Sequence, residues 1–313
     1  MGKKKKDTME LRFYEVPQGE YVLALLGDNW IRDYGHDESN LHFHNLMEIG
    51  YCKNGTGELI LNEETKRYEP AMVSIIPQNY PHVTISDIAE GPSYWEYLFF
   101  DPMVMIQELY PDNAVMQKKV LQMINRKALF FHEWENRGIS VLVKMLMDEM
   151  RQKKNHFNDC VRGLLIAFFT ELLLRMCESD VSEDEVKKKT GVSQITAALD
   201  YVRLEYANNI RVEELAKASH MSETHFRRVF ESYMNMSPMD YINLMRVQKA
   251  CDIMKKTNDP MDVVAQKVGF TTTSTFNRNF KKYLNTSPYQ WKISPENYER
   301  KLLNYNISAL KGW

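Results

Sequence analysis

The chain has 313 residues, of which 44% are hydrophobic and 26% charged, so it has room for two folded domains, and its net charge is only −2. No apolar run reaches the roughly 18 residues that a membrane-spanning helix needs, and the lysine-rich N-terminus precedes no apolar segment of the kind found in secretory signals. Four widely separated cysteines predict buried free thiols in a reducing compartment, and we therefore expect a cytoplasmic protein without a membrane partner.

The region from residue 21 to 102 alternates short apolar segments with turns. The segments YVLALLG, MEIGYCKNGTGELILN, AMVSIIP, HVTIS and SYWEYLFF are rich in Val, Ile, Tyr and Phe, and Asn-Gly, Pro and Gly residues separate them. Regular strand spacing of this kind predicts an antiparallel sandwich or barrel.

One stretch of this region, LHFHNLMEIG at 41–50, contains the pattern His-x-His-x-x-x-Glu at His42, His44 and Glu48. Residues two apart on a strand share a face, so these side chains can converge on one point. Two imidazoles and a carboxylate are good ligands for a first-row metal ion. The same groups can also line a pocket for a small polar molecule, or tie strand ends together by hydrogen bonds.

From about residue 103 to 178 the pattern is helical. One predicted helix carries an apolar stripe made by Ile139, Leu142, Leu146 and Met150. A second, CVRGLLIAFFTELLLRMC, is apolar on most faces, which is typical of a helix that packs on two sides or forms a dimer seam. The charged segment that follows has no aromatic residue and predicts an interdomain linker over 179–193.

Residues 194–293 are predicted to be helical and contain an internal repeat. FRRVFESYMNMSP at 226–238 matches FNRNFKKYLNTSP at 276–288 in seven of thirteen positions. Each copy predicts a short helix, a tight turn and a second helix, the helix-turn-helix arrangement. This region carries 14 Lys and Arg against 10 Asp and Glu, whereas residues 1–193 carry 23 against 30, so the C-terminal part is the basic one. A basic module favours a polyanionic partner.

The second helix of each copy has an apolar stripe and a polar face. The stripes are predicted to be Phe226, Val229, Phe230 and Tyr233 in the first copy and Phe276, Phe280 and Tyr283 in the second. The polar positions left for solvent are Thr224, Arg227, Arg228, Thr273, Ser274, Asn277 and Arg278. In a DNA major groove, arginine can bind guanine and asparagine can bind adenine, each through two hydrogen bonds. Arginine at these places can also contact phosphate.

On these residues, the segment from 194 to 292 resembles the DNA-binding domain of the AraC/XylS family. The stretches LAKASHMSETHFRRVF, LMRVQKACDIM, VAQKVGF, STFNRNFKK and SPYQW occupy the places of the family's motifs. The resemblance implies seven helices, with two recognition helices entering adjacent major-groove faces of promoter DNA. It also implies that the seven polar positions face the bases, and we expect Arg246 to brace the two halves together.

The N-terminal region resembles the cupin-type sensor domain of the same regulators. The first cupin motif is met by His42, His44, Glu48 and Gly55, and the second by Pro77 and His82, although Asn79 stands where glycine is usual. The resemblance implies an effector site that also includes Thr84, Trp95 and Tyr97. Aromatic faces suit the C–H groups of a carbohydrate, although two strand aromatics can also be ordinary core residues.

The combined interpretation is an α+β protein in five parts. These are a cupin-like effector-sensing barrel at 8–102, a helical dimerisation segment at 103–178, the linker at 179–193, a double helix-turn-helix domain at 194–293 and a tail at 294–313. The predicted function is sequence-specific regulation of transcription, as an activator that responds to a sugar-like effector. The predicted partners are promoter DNA, RNA polymerase and a second copy of the chain. No catalytic activity and no cofactor are expected.

One alternative interpretation assigns the N-terminal region to metal chemistry. The chain would then be a cupin metal-dependent enzyme, or a metal-responsive sensor, fused to a DNA-binding domain. His42, His44, Glu48 and His82 would be the metal ligands, because three imidazoles and one carboxylate leave coordination positions open for a substrate.

Overall fold

The described residues form two compact units, which are treated separately below. The computed structural model describes residues 10–12, 14, 16–17, 19–34, 41–62, 64–87, 89–178, 191–234 and 236–293. One unit lies within Arg12–Lys188 and the other within Lys189–Gly312. Most of the predicted linker, at 179–190, and the predicted tail at 294–313 lie outside the described residues. In the described part of the chain, no helix is both long enough and apolar enough to cross a bilayer.

The first unit is built on two antiparallel sheets. Its strands are β1 (Glu10–Arg12), β2 (Leu23–Leu25), β3 (Ile31–Arg32), β4 (His42–His44), β5 (Met47–Asn54), β6 (Gly57–Leu61), β7 (Glu64–Tyr68), β8 (Met72–Ile76), β9 (His82–Ser86), β10 (Ser93–Phe100) and β11 (Leu129–His132). One sheet has the order β1-β4-β9-β6-β7 and the other β11-β8-β5-β10-β2, with β3 also paired to β10. Side chains of both sheets share one core, in which Leu59 and Tyr68 of the first meet Trp95 and Phe99 of the second.

Four helices follow or interrupt the strands of this unit. They are α1 (Pro102–Leu109), α2 (Ala114–Ile124), α3 (Arg137–Gln152) and α4 (Phe157–Glu178). The Asn136 side chain accepts a hydrogen bond from the Ile139 N–H and so caps the first turn of α3. Of the predicted stripe on α3, Leu142 is half-buried and the other three residues are buried.

Two strands and two cysteines differ from the sequence-based expectation. Strand β7 has the polar sequence ETKRY and lies at a sheet edge, so it lacks the apolar alternation that identifies a strand. Strand β11 lies inside the region expected to be helical and pairs with β8. The thiols are free, as expected, but Cys160 and Cys177 are exposed on α4 and only Cys52 and Cys251 are buried. A helix that is apolar on most faces still leaves one of its faces toward solvent.

Strand β10 is held on its outer face by an ion pair between a buried glutamate and an exposed arginine. Arg151 of α3 donates to the two carboxylate oxygens of Glu96 at 3.0 and 2.8 Å. The same carboxylate accepts hydrogen bonds from the Tyr94 hydroxyl and the Gly27 N–H, and only 1% of Glu96 is exposed. Because side chains alternate along a strand, Trp95 and Tyr97 lie on the opposite face, inside the core.

The second unit consists of seven helices within the described residues. They are α5 (Gly191–Glu205), α6 (Val212–Ala218), α7 (Glu223–Met234), α8 (Pro238–Lys256), α9 (Met261–Lys267), α10 (Thr273–Leu284) and α11 (Pro288–Ile293). Helices α6 and α7 form one helix-turn-helix unit, α9 and α10 form the other, and α8 joins them. The repeated Ser-Pro pairs begin α8 and α11, where Ser237 and Ser287 accept hydrogen bonds from backbone N–H groups of the first turn. The predicted α+β class, with antiparallel sheets followed by helices, is confirmed.

The turn of each helix-turn-helix unit contains one residue in the left-handed conformation. It is His220 in the first unit, with φ of 54°, and Gly269 in the second, with φ of 90°. A Cβ on Gly269 would lie 2.8 Å from the Tyr206 carbonyl oxygen and 2.7 Å from that of Ala207. Arg246 of α8 donates to the carbonyls of Tyr206 and Asn208, both at 2.8 Å, which ties α8 to the loop after α5.

We predict that Gly269→Ala destabilises the chain by at least about 2 kcal/mol. The left-handed backbone conformation is unfavourable for alanine, and its Cβ would clash with two carbonyl oxygens. The matched control is His220→Gly, which removes a side chain from the equivalent position and is expected to change the free energy of unfolding by less than about 1 kcal/mol. Urea unfolding followed by far-UV circular dichroism measures both. A Gly269→Ala variant as stable as wild type would contradict the close approach of Gly269 to the Tyr206 and Ala207 carbonyl oxygens.

Candidate functional site

Four buried polar residues meet in the interior of the first unit. His42 on β4 pairs directly with His82 on β9. His44 lies two residues further along β4, and Glu48 lies on β5 of the other sheet. The three histidines have no exposed surface and Glu48 has 2%. One ligand atom from each of His44, Glu48 and His82 lies within 4.8 Å of the others. The convergence predicted for His42, His44 and Glu48 therefore holds for His44 and Glu48, with His82 in the place of His42.

His42 stands beside this group of three rather than within it. Its ring centroid lies 4.3 Å from that of His82 and 6.3 Å from that of His44. The geometry therefore gives a set of three converging side chains with His42 packed against one of them.

Backbone carbonyls fix the tautomers of two histidine rings. The Nδ1 atom of His44 lies 2.7 Å from the Leu46 carbonyl oxygen, and that of His82 lies 2.9 Å from the Tyr80 carbonyl oxygen. A carbonyl oxygen only accepts hydrogen bonds, so each Nδ1 carries the hydrogen. In a neutral ring the other nitrogen, Nε2, then presents a lone pair. The Nε2 atoms of His44 and His82 lie 3.1 Å and 3.6 Å, respectively, from Oε2 of Glu48.

The charge states of His44 and Glu48 decide which partner the cluster needs. Burial lowers the pKa of His44 and favours its neutral form. Burial also tends to raise the pKa of Glu48, but the two facing histidines outweigh it and hold that pKa below its usual value. Histidines lower the pKa of a carboxyl group by donating a hydrogen or by carrying charge, so the lowered pKa of Glu48 corresponds to a proton on an Nε2 that faces it. When both rings are neutral, the two Nε2 atoms and the carboxylate oxygen are all acceptors, and a donor group or a cation between them then completes the cluster.

The same residues fit a metal ion. Two Nε2 atoms and a carboxylate oxygen are ligands that zinc, iron, nickel and manganese accept, and each His ring is held by an Nδ1–H···O=C hydrogen bond of the kind that orients metal ligands. They equally fit a ligand that carries hydroxyl groups, because an O–H donates to the carboxylate or to Nε2 and its oxygen accepts in return.

The other three predicted effector residues line the same interior. Thr84 lies two residues after His82 on β9, and Trp95 and Tyr97 lie on β10, all of them at most 5% exposed. The rings of Trp95 and Tyr97 are stacked at 11° with centroids 6.1 Å apart. The Trp95 ring lies edge-on to Tyr68, with centroids 5.1 Å apart, and Trp95 Nε1 is buried near the Tyr68 hydroxyl. Burial raises the pKa of Tyr97, whose hydroxyl interacts with Tyr34 and Thr84.

Three further aromatic residues lie nearby. Phe99, which strand alternation puts on the same face as Trp95 and Tyr97, has its ring 5.3 Å from His44 and 6.3 Å from Tyr97. Tyr14 packs on Phe99 at 4.4 Å, and Tyr34 faces Tyr97 at 6.3 Å. The sequence did not indicate Tyr14 or Tyr34. Tyr14 and Tyr34 lie outside any strand, so no periodic pattern could have identified them.

The departure from the second cupin motif is accommodated by the backbone. Asn79 stands where glycine is usual, and it adopts the left-handed conformation with φ of 57°. Asparagine tolerates this region better than most residues because its short polar side chain forms local hydrogen bonds. Its N–H donates to the His44 carbonyl at 2.8 Å, which joins the loop before β9 to strand β4.

In the second unit, the polar residues predicted to face DNA are all exposed. They are Thr224, Arg227 and Arg228 on α7, and Thr273, Ser274, Asn277 and Arg278 on α10. The opposite stripe is buried as expected in α10, while Val229 and Tyr233 of α7 are half-buried. Ser222 and Thr272 cap the two helices by accepting hydrogen bonds from the N–H groups of His225 and Thr275.

Two exposed residues of α7 that the sequence analysis passed over contact its arginines. Arg227 donates from Nε and Nη2 to Oε1 of Glu223 at 3.0 and 2.7 Å. Arg228 donates from Nη2 to Nδ1 of His225 at 3.0 Å. The i, i+4 and i, i+3 spacings carry the signal for such pairs.

Several known proteins are similar to this chain along most of its length, and a family model matches its C-terminal part. A family model described as a helix-turn-helix domain matches residues 215–293. The uncharacterized HTH-type transcriptional regulator YdeC of Bacillus subtilis is 23% identical over 290 residues, 92% of this chain and 95% of that protein. The raffinose operon transcriptional regulatory protein RafR of Pediococcus pentosaceus is 22% identical over 249 residues, 79% of this chain and 84% of that one. Among solved structures, an apo ToxT variant from Vibrio cholerae matches with 14% identity and a TM-score of 0.40, over 88% of this chain and 98% of that chain.

We predict that Glu48→Gln keeps the free energy of unfolding of the metal-free, ligand-free chain within about 1 kcal/mol of wild type, because a glutamine amide donates to the Nε2 lone pairs. The matched control is Glu96→Gln, which removes a buried carboxylate that does have donors and is expected to cost about 2 kcal/mol. Urea unfolding in the presence of a chelator measures both. A loss of more than about 3 kcal/mol in Glu48→Gln would instead indicate a charged imidazolium paired with the carboxylate.

Proposed function

We propose that this chain, which belongs to the AraC/XylS family of DNA-binding transcription regulators, is a cytoplasmic, homodimeric activator that responds to a small polar effector, a sugar or a sugar derivative. The cupin-like first unit binds the effector, and α7 and α10 of the second unit bind promoter DNA. The bound dimer recruits RNA polymerase. Catalysis has no part in this function.

One observation carries the DNA-binding part of the proposal. Two helix-turn-helix units, repeated in sequence and joined by α8, each present a second helix with a polar, exposed face. The exposed side chains at the start of these helices are short polar residues, arginine and asparagine, which suit base edges in the major groove. The match of the helix-turn-helix family model over 215–293 covers both units.

The effector assignment is supported by the chemistry of the buried cluster. When the imidazoles are neutral, His44 and Glu48 face each other as acceptors, and a donor between them completes the cluster. A sugar hydroxyl is such a donor, and the stacked Trp95 and Tyr97 rings offer an apolar wall. RafR, a relative along most of the chain, is named for the raffinose operon.

The structure suggests how occupancy of this site changes the rest of the unit. Trp95 and Tyr97 face the interior, while Glu96 between them is held by Arg151 of α3. A ligand that moves β10 therefore moves α3, which we assign with α4 to the dimer contact. The effector shifts the population between two dimer arrangements, of which one binds promoter DNA better.

A metal-dependent function is the second candidate, since His44, Glu48 and His82 also fit a divalent cation. In that case a bound ion would supply the charge that the facing acceptors require, either in a metal sensor or in a cupin enzyme. His42 lies beside this set, with its ring centroid 4.3 Å from that of His82. The two candidates differ in their response to chelators.

We predict that Arg227→Ala and Asn277→Ala each weaken binding to the selected operator at least about tenfold, because each loses base contacts worth roughly 1–3 kcal/mol. The control is Lys66→Ala, which removes a positive charge from the first unit. Fluorescence anisotropy with a duplex enriched from a random library measures the affinities. Unchanged affinity in both variants would mean that α7 and α10 do not contact the bases.

We predict that one member of a panel of sugars raises the melting temperature by roughly 5 °C at a hundredfold excess over its Kd, with or without a chelator. Ile75→Ala, at a buried position of β8 outside the core cluster that contains Trp95, controls for general effects on the barrel, and Trp95→Ala is expected to abolish the shift because it removes the apolar wall. Stabilisation by a metal ion alone, together with metal-dependent turnover of any substrate, would contradict the sugar-sensing function.

A further inference from the structure

We infer that Glu223 is a positioning residue that directs Arg227 to read a guanine, so that the first recognition helix has a base specificity that the second lacks. This inference rests on the proposed DNA-binding function. It concerns one pair of residues one helical turn apart on the exposed face of α7.

The contact between the two side chains leaves the reading edge of the guanidinium available. Both Nε and Nη2 of Arg227 donate to Oε1 of Glu223. Within the described residues, Nη1 and the second hydrogen of Nη2 have no protein acceptor. These two groups form the outer edge of the guanidinium fork, and that edge matches the O6 and N7 acceptors of guanine.

Holding the inner edge has a physical consequence for specificity. A free arginine on a DNA-facing helix has many rotamers and can bind a phosphate as readily as a base. Glu223 fixes the side chain along the helix surface, so that only the outer edge projects from α7. Pre-ordering of this kind reduces the entropy lost on binding one guanine and removes the alternative contact with phosphate.

The internal repeat supplies an independent comparison. With the spacing of fifty residues, Glu223 and Arg227 correspond to Thr273 and Asn277 of α10. Both members of the pair are therefore different in the second copy, whereas Arg228 and Arg278 at the next position are the same. At these two matched places of the repeat, the acid and the arginine are either both present or both absent. A role that belongs to the pair explains this, and a role of Arg227 alone does not.

The charge of Glu223 has two opposed effects at this place. In the first turn of α7 the helix macrodipole favours a carboxylate weakly, and the exposed i, i+4 ion pair adds a similarly small stabilisation. A carboxylate on the face that meets DNA repels the phosphates and weakens binding to any sequence. A gain in base discrimination is the benefit that would offset the loss of general affinity.

The test uses the full-length chain and a library of random duplexes. Wild-type protein enriches a site, and the base position whose preference Arg227→Ala abolishes identifies the contact made by Arg227. Affinity is then measured for duplexes with each of the four bases at that position, and for an unrelated duplex. The variants are Glu223→Gln, Arg227→Lys and the matched control Glu231→Gln, which removes the same charge from the exposed face near the end of α7.

The expected result is that wild type prefers guanine at this position. In Glu223→Gln the preference falls about tenfold, while affinity for the unrelated duplex is equal or higher. Arg227→Lys loses the preference with its charge intact, and Glu231→Gln keeps it. A Glu223→Gln variant with wild-type preference overturns the inference, and so does equal weakening for all four bases with reduced helicity, which indicates helix stabilisation alone. If wild type enriches no site, the proposed function fails as well.

Discussion

The arrangement of the first unit depends on strand β10, because both faces of this strand are buried. On the inner face Trp95 and Tyr97 belong to the core shared by the two sheets, and on the outer face Glu96 is held by Arg151 of α3. A buried carboxylate without donors would be strongly destabilising, so α3 must lie where its arginine reaches β10. The same strand pairs with β2, β3 and β5 and therefore fixes the sheet, the helix and the candidate site together.

The two buried glutamates of this unit have opposite environments, and the difference separates structure from function. Glu96 has donors from an arginine, a hydroxyl and a backbone N–H. Glu48 faces two imidazoles whose Nδ1 atoms are committed to backbone carbonyls, so it meets lone pairs. Folded proteins satisfy almost all of their buried polar groups. A cluster that the protein alone leaves incomplete is therefore a place where a ligand with donors, or a cation, gains free energy on binding.

The two helix-turn-helix units show how a repeated backbone carries different side-chain chemistry. Apolar stripes, Ser-Pro helix starts and left-handed turn residues recur in both copies, because they are set by packing and backbone geometry. The exposed faces have diverged: α7 carries acid–arginine and histidine–arginine pairs, whereas α10 carries Thr273 and Asn277 at the matched places of the first pair. Exposed positions contribute little to folding, so they are the ones that are able to differ in base contacts.

Sequence alone determined the class of fold, the helix-turn-helix repeat and the faces of its helices, because periodicity and local turn chemistry set these features. Strand alternation also put His42 and His44 on one face of a strand, which is a local rule. Glu48 lies on β5 of the other sheet, so its approach to His44 depends on how the two sheets pack. Sequence alone missed β7 and β11, whose short or polar sequences carry no periodic signal, and Tyr14 and Tyr34, which reach the site from irregular segments. Only the tertiary structure decided which nitrogen of each histidine faces Glu48 and which arginine reaches Glu96. Those outcomes depend on contacts between atoms whose positions are fixed by the packing of the whole unit.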